Sequence, residues 1–228
     1  MQPRVADIRL LLDTYGVTDE ATREALFTLI REARQRGWWR AYGALTDNYV
    51  EFEAPAKKIS TYELAVVPGL LQTSAYATAL QRGWLMRDEK EIERLVKLRM
   101  ERQQILTDDD PPQLWAVIDE AAIMRSFGSP EAKVEQLQRL IGTERLEHVT
   151  VQVLPMNVAP HPGLSGSFVI LDYEDDPSLV YREARPGSTY MEGAAEVEER
   201  RTVFQHLSAT ALGPDESIAH LRRLADHP

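Results

Sequence analysis

Gly163-Leu164-Ser165-Gly166-Ser167 is the first segment of the chain that suggests covalent chemistry, because a serine set between glycines is the heart of a nucleophile elbow. That elbow also needs a glycine two places after the serine and a helix beyond it, whereas position 167 is Ser and a strand is expected to follow. A glycine-rich turn entering a strand is therefore the expected structure, and no enzymatic activity is expected. His161, between Pro160 and Pro162, could orient a ligand or partner carboxylate; a lone loop histidine is more often solvated or bonded to backbone. His206, His220 and His227 are too far apart for a local metal motif, and no His-Glu-x-x-His occurs. The chain has no Cys, which excludes disulfides, thiolate zinc sites and thiol nucleophiles together. Neither a metal nor a cofactor is expected.

Two further clusters have a polar and a structural reading each. Arg94, Arg99 and Arg102 could form an anion-binding stripe on one helix, but the interspersed Glu91, Glu93 and Glu101 make a salt-bridged, solvated face the commoner explanation. Arg99 and Gln103 nonetheless fall four apart on the face continued from Leu95 and Val96, which allows partial burial with specific hydrogen bonds. Tyr181, Glu183, Arg185, Ser188, Tyr190 and Glu192 crowd a strand end and the loop after it. With His161 they are the first place to look for a ligand or partner, against the alternative of an ordinary hairpin rim. Trp38, Trp39 and Tyr42 belong to a dense aromatic set with Leu45, Tyr49 and Phe52, a core or an interface. Adjacent indoles on a helix point about 100° apart, so one is expected in the core and the other over a junction.

The elements that carry these residues follow from periodicity. Val5, Ile8, Leu11 and Leu12 predict a short helix ending at Tyr15-Gly16, and Thr22, Ala25, Leu26, Leu29, Ile30 and Ala33 predict another over Asp19 to Arg36, capped by Thr18 or Asp19 and stopped by Gly37. Pro68-Gly69 predicts a turn, Thr73 or Ser74 a helix cap, and Asp88 to Leu106 a helix. Asp108-Asp109-Asp110-Pro111-Pro112 breaks that helix and marks a seam between halves. Beyond it, Leu114–Ile118, Val149–Leu154, Phe168–Tyr173 and Leu179–Glu183 are short strand-like runs, with the last two joined antiparallel through an acidic turn. Helices are expected over Glu131–Ile141, Ala194–Ala211 and Pro214–Ala225. The fold class is α+β: a helical N-terminal half, then a small, mostly antiparallel sheet covered by helices.

With 228 residues, 43% hydrophobic and 27% charged, the composition is that of an ordinary globular protein of one or two domains. A formal charge of −10 opposes spontaneous binding to a polyanion, so any DNA contact must come from a local patch or another segment. No apolar stretch approaches a membrane span and no signal peptide is evident, so a cytoplasmic protein with no membrane partner is expected.

Several runs together resemble one family. They are Gly37-Trp38-Trp39, Val67-Pro68-Gly69-Leu70-Leu71-Gln72-Thr73-Ser74-Ala75-Tyr76-Ala77, Leu98 to Leu106, Val117 to Ala121, Val151 to Pro155, His161 to Gly166 with Phe168, Val180-Tyr181, and Ala211-Leu212 with Ser217. This set resembles the C-terminal domain of unknown function of actinobacterial Cro-repressor-type (XRE-like) helix-turn-helix transcriptional regulators. The resemblance implies that residues 1–36 are the last helices of a Cro-type DNA-binding domain. Residues 37–228 would be the regulatory and partner-binding domain, helical to about 110 and then sheet. It also implies that the recognition helix is missing from this chain, so that DNA is reached only through an upstream segment. Its partners would be a small protein encoded nearby, in an antitoxin-like pairing, or a second copy in a homodimer. The function expected is thus the regulatory and protein-interaction domain of such a regulator. The alternative is a small-molecule sensor or degenerate enzyme using a groove near His161, Tyr181 and Glu183.

Overall fold

A computed structural model of the chain describes residues 5–24, 26–27, 49–184 and 187–226, which fall in two units, 1–43 and 44–228. In the first, helix α1 (Val5–Thr14) stops at Gly16, whose φ of +66° is a left-handed conformation that glycine adopts without a Cβ clash. A second helical stretch starts at Glu20, and the Asp19 carboxylate caps it by accepting the Thr22 N–H at 2.8 Å. Arg23 ties the two stretches together through Asp13 (2.7 Å) and the Val17 carbonyl (2.9 Å). Trp38, Trp39 and Tyr42, and the far end of the helix expected to Arg36, lie outside the described residues.

The second unit is built on a six-stranded sheet: β1 (Lys58–Glu63), β2 (Gln113–Asp119), β3 (Val149–Leu154), β4 (Phe168–Asp172), β5 (Leu179–Arg182) and β6 (Thr189–Met191). The strand order is β3-β2-β1-β4-β5-β6. β1–β2 and β2–β3 are parallel; β1–β4, β4–β5 and β5–β6 are antiparallel. The fold is α+β, with antiparallel pairing in the majority. Two strands depart from expectation: β6 forms where a loop is expected after Glu183, and the middle of the sheet is occupied, before any strand expected from the sequence, by β1. Its residues, Lys58-Ile59-Ser60-Thr61-Tyr62-Glu63, alternate no apolar face against a polar one, since Ser60, Thr61 and Tyr62 are all buried. The seam expected at Asp108–Pro112 is likewise a connection inside this unit. It delivers Gln113, whose N–H donates to the Lys57 carbonyl (2.9 Å), into the strand that pairs with β1.

Seven described helices belong to this unit: α2 (Tyr49–Glu53), α3 (Ser74–Gly83), α4 (Glu89–Arg102), α5 (Glu120–Met124), α6 (Pro130–Ile141), α7 (Ala194–Thr210) and α8 (Pro214–Asp226). The period-2 geometry of the strands splits the core in two. Ile59, Leu114, Ile118, Val151, Val169 and Leu171 point to one face with residues of α2, α3, α6 and α8. Tyr62, Val117, Leu154, Phe168, Ile170 and Val180 point to the other, where Val197, Phe204 and Leu207 of α7 cover them. Gln152 fastens the end of α7, its side-chain NH2 donating to the Ser208 and Leu212 carbonyls while its oxygen accepts from Trp115 Nε1. Ser217 of α8 accepts the Val153 N–H at 2.9 Å.

Candidate functional site

The Val67–Ala77 run folds as a hydrogen-bonded bracket. Pro68 and Gly69 open a single 3₁₀ turn, Gly69–Leu71, that buries Leu70 and Leu71. The Tyr76 hydroxyl, one turn into α3, reaches back to accept the Val67 N–H at 3.0 Å. Thr73 caps α3 by accepting the Tyr76 N–H, and its own N–H donates to Gln136 Oε1 of α6, whose amide in turn donates to the Leu71 carbonyl. Backbone groups that would be orphaned at a helix start are thereby satisfied. Gln72 is left buried, donating to the Val67 carbonyl at 2.6 Å, with its side-chain oxygen turned toward α4.

From α4 come the residues that complete the bracket. Arg99 Nη1 donates to Gln72 Oε1 (2.5 Å), and Gln103, one turn later, donates to the Gly69 and Gln72 carbonyls (2.9 and 2.8 Å). Arg102 lies against Gly69, where a Cβ would come within 2.3 Å of a guanidinium nitrogen, so a side chain here would push Arg102 from its place. The Arg102 guanidinium also stands over the Tyr49 ring at 5.4 Å and pairs with Glu53 Oε2 at 2.8 Å. Glu53 is 1% exposed, so this is a buried ion pair. Two of the three arginines of the expected solvated stripe therefore turn inward, since the face of α4 that carries them is the one held against the 3₁₀ turn; Arg94 is exposed.

Between the bracket, α2, α4 and the sheet lies a cavity of about 220 Å³. Thr61 and Glu63 of β1, Tyr181 and Glu183 at the end of β5, Arg99 and Arg102 supply its polar groups. Leu80, Leu95, Val169 and Trp84 are among the apolar walls. The Tyr181 ring is 4.2 Å from Tyr49 and 5.2 Å from Tyr190, which continues the aromatic row to Phe52. Burial pushes the Glu63 carboxyl up to about 7; the hydroxyl of Ser167 favours its charged form, Glu183 repels it, and Thr61 and Arg99 oppose the rise. Burial likewise brings Arg99 down to about 10, helped by repulsion from Arg102. Burial raises the Glu53 carboxyl above the usual carboxylate range against the pull of Arg102, whose own proton the pair holds more tightly. Among the described residues Arg99 has no carboxylate within ion-pair distance; its partner is the neutral Gln72.

A family model for a domain of unknown function, DUF5753, matches residues 46–223. The chain belongs to the DUF5753 family. No curated protein and no solved structure matches it.

In the DUF5753 domain the residues singled out from sequence separate into two places. Tyr181 and Glu183 line the cavity, and Tyr190 stands behind Tyr181. Arg185 lies outside the described residues. His161 does not join them: its ring meets Tyr62 edge-on at 6.2 Å, and Tyr62 belongs to the opposite face of the sheet, donating to Asp119 at 3.2 Å. Ser165 sits in a 3₁₀ turn, Pro162–Ser165, that leads through Gly166 (φ +118°) into β4, and its hydroxyl donates to the Pro162 carbonyl. His220 is held by Glu120 at 2.8 Å, and no group of metal-binding side chains occurs among the described residues. No described helix is long and apolar enough to cross a membrane. Sequence reasoning passed over Thr61 and Glu63 with their strand. Glu53 was not singled out; Arg102 belonged to the arginine stripe and Gln72 to the Val67–Ala77 run, and the four-residue step from Arg99 to Gln103 was the signal that pointed toward this wall.

Proposed function

We propose that the DUF5753 domain of this protein is the regulatory domain of a helix-turn-helix transcription regulator, and that it responds to a small molecule held in the cavity beneath the Val67–Ala77 bracket. One observation carries the sensing reading: a cavity of about 220 Å³, lined in similar measure by apolar and polar groups, that gathers Arg99 and Glu63, ionisable groups partly removed from water with no oppositely charged side chain in contact among the described residues. Desolvated charges without partners are costly, and concave apolar sites with a few convergent polar groups are the usual form of a ligand site. The transcriptional part of the reading rests on the resemblance of the sequence runs to Cro-repressor-type regulators. In such a protein the ligand acts only through differential affinity, binding one arrangement of domain, small partner protein or second copy better than another.

The test is a thermal-shift screen of the whole chain against a library of small polar metabolites, run in parallel on Leu95→Trp, which fills the cavity from α4. Saturable stabilisation of the wild-type chain that Leu95→Trp abolishes is the expected result. A library that stabilises both proteins equally, or neither, would contradict the sensing reading.

A further inference from the structure

The cavity's charges are laid out unevenly, and the layout specifies a ligand. Arg99, fixed by Gln72, has no carboxylate in ion-pair contact among the described residues, with Glu183, Glu53 and Glu63 attracting it only from further off, whereas Arg102 is paired directly with Glu53. Glu63 and Glu183 both line the same space, and Glu183 acts on Glu63 as a like charge. The Ser167 and Thr61 hydroxyls bond to Glu63, Thr61 only weakly at 3.5 Å, and the carboxylate keeps further acceptor positions open. Around these groups the surface is aliphatic and aromatic, with Val66, Leu80, Leu95 and Val169 on the walls. The volume is below the roughly 300–1,000 Å³ of sites for drug-sized ligands, so the occupant is small.

We infer that the cavity takes a small aliphatic amino acid or close analogue, its carboxylate on Arg99, its ammonium between Glu63 and Glu183, and its side chain among the leucines and valines. This rests on the reading of the domain as a sensor and adds the ligand's class. A guanidinium with no anion in direct contact binds a carboxylate through two parallel hydrogen bonds, and a cation placed between two carboxylates removes the repulsion between them. A simple carboxylic acid would satisfy only the first requirement, and a simple amine only the second.

Calorimetric titration of the whole chain with L-leucine, N-acetyl-L-leucine and L-leucinamide separates these cases. L-leucine is expected to bind saturably, with each blocked analogue weaker by about tenfold or more, the scale of one charge-assisted hydrogen bond. Arg99→Gln should bring L-leucine down to the affinity of leucinamide, and Glu63→Gln should bring it down to that of the N-acetyl compound. The two variants alter different walls, and a melting curve of each confirms that it is folded. If leucinamide or the N-acetyl compound binds as well as L-leucine, or if both folded variants keep full affinity, the amino-acid assignment is wrong. If L-leucine fails while other compounds stabilise the chain in a manner that Leu95→Trp abolishes, the class falls and the sensing role stands; if no compound binds in either experiment, both fall.

Discussion

Glu63 is the residue through which the cavity should announce itself even without a ligand. Its carboxyl is raised from about 4.5 to about 7, so between those values the folded protein binds more protons than the unfolded chain. Stability is then fully present below pH 4.5 and falls as pH rises toward 7. At ~1.36 kcal/mol per unit, reduced for the solvent that reaches part of this side chain, the loss is about 2 kcal/mol. Glu63→Gln should remove that slope, so the stability difference between variant and wild type grows by about 2 kcal/mol from pH 4.5 to 7.5 in urea denaturation; equal slopes would mean that the carboxyl is not desolvated. The Glu53–Arg102 pair predicts a different pattern. Glu53→Gln or Arg102→Met alone should cost about 3–5 kcal/mol by stranding a buried charge, and the double variant should cost less than the sum of the two. Strict additivity in a double-mutant cycle would show that the pair is not coupled. At this scale sequence was a partial guide: the four-residue step from Arg99 to Gln103 allowed an inward face beside the solvated one, while nothing local announced that Glu53, on α2 with β1 and α3 in between, would meet Arg102.

Elements were legible where one physical signal dominated. The caps at Asp19 and Thr73, the Pro-initiated helix at Pro214 and the strands β2 to β5 follow from capping chemistry, proline geometry and β-branched runs, and the structure has them within a residue or two. β1 was not legible because the residues that line the cavity also erase its pattern; Thr61 and Glu63 face that space where a core strand would carry aliphatics. Glycine at 163 gives a test at this level. A Cβ there would meet the Tyr62 ring at 2.7 Å, and the ring is fully buried and bonded to Asp119. Gly163→Ala should cost about 1–3 kcal/mol by overpacking, whereas Gly187→Ala, with open space around it, should be near neutral. Chemical denaturation showing the two alike would remove the Tyr62–Gly163 contact as the reason for a glycine in that turn. Thr73→Ala should cost about 1 kcal/mol through the lost cap of α3.

For the whole molecule, membership of the DUF5753 family covers residues 46–223, essentially the second unit. Several of the runs that carry the family resemblance in the sequence turn out to be its joints. Val67–Ala77 and Leu98–Leu106 bond to each other around the cavity, Asp119 caps α5 while holding Tyr62, and Ser217 ties α8 to β3. The cavity is assembled from several separate segments: the sequence offered Arg99 and Arg102 as part of a solvated stripe or a partly buried face and Tyr181 and Glu183 as a ligand site or hairpin rim, while Glu53, Thr61 and Glu63 carried no signal of their own. The account stands on small molecules entering that space. Methyl-labelled nuclear magnetic resonance spectra of the chain, recorded across the metabolite library, test this most directly. The prediction is that a binding compound moves the methyl signals of Val66, Leu80, Leu95 and Val169 together while Val117, Val180 and Leu207, on the opposite face of the sheet, stay in place. Shifts confined to the opposite face, or no shift at any of these methyls with any compound, would contradict it.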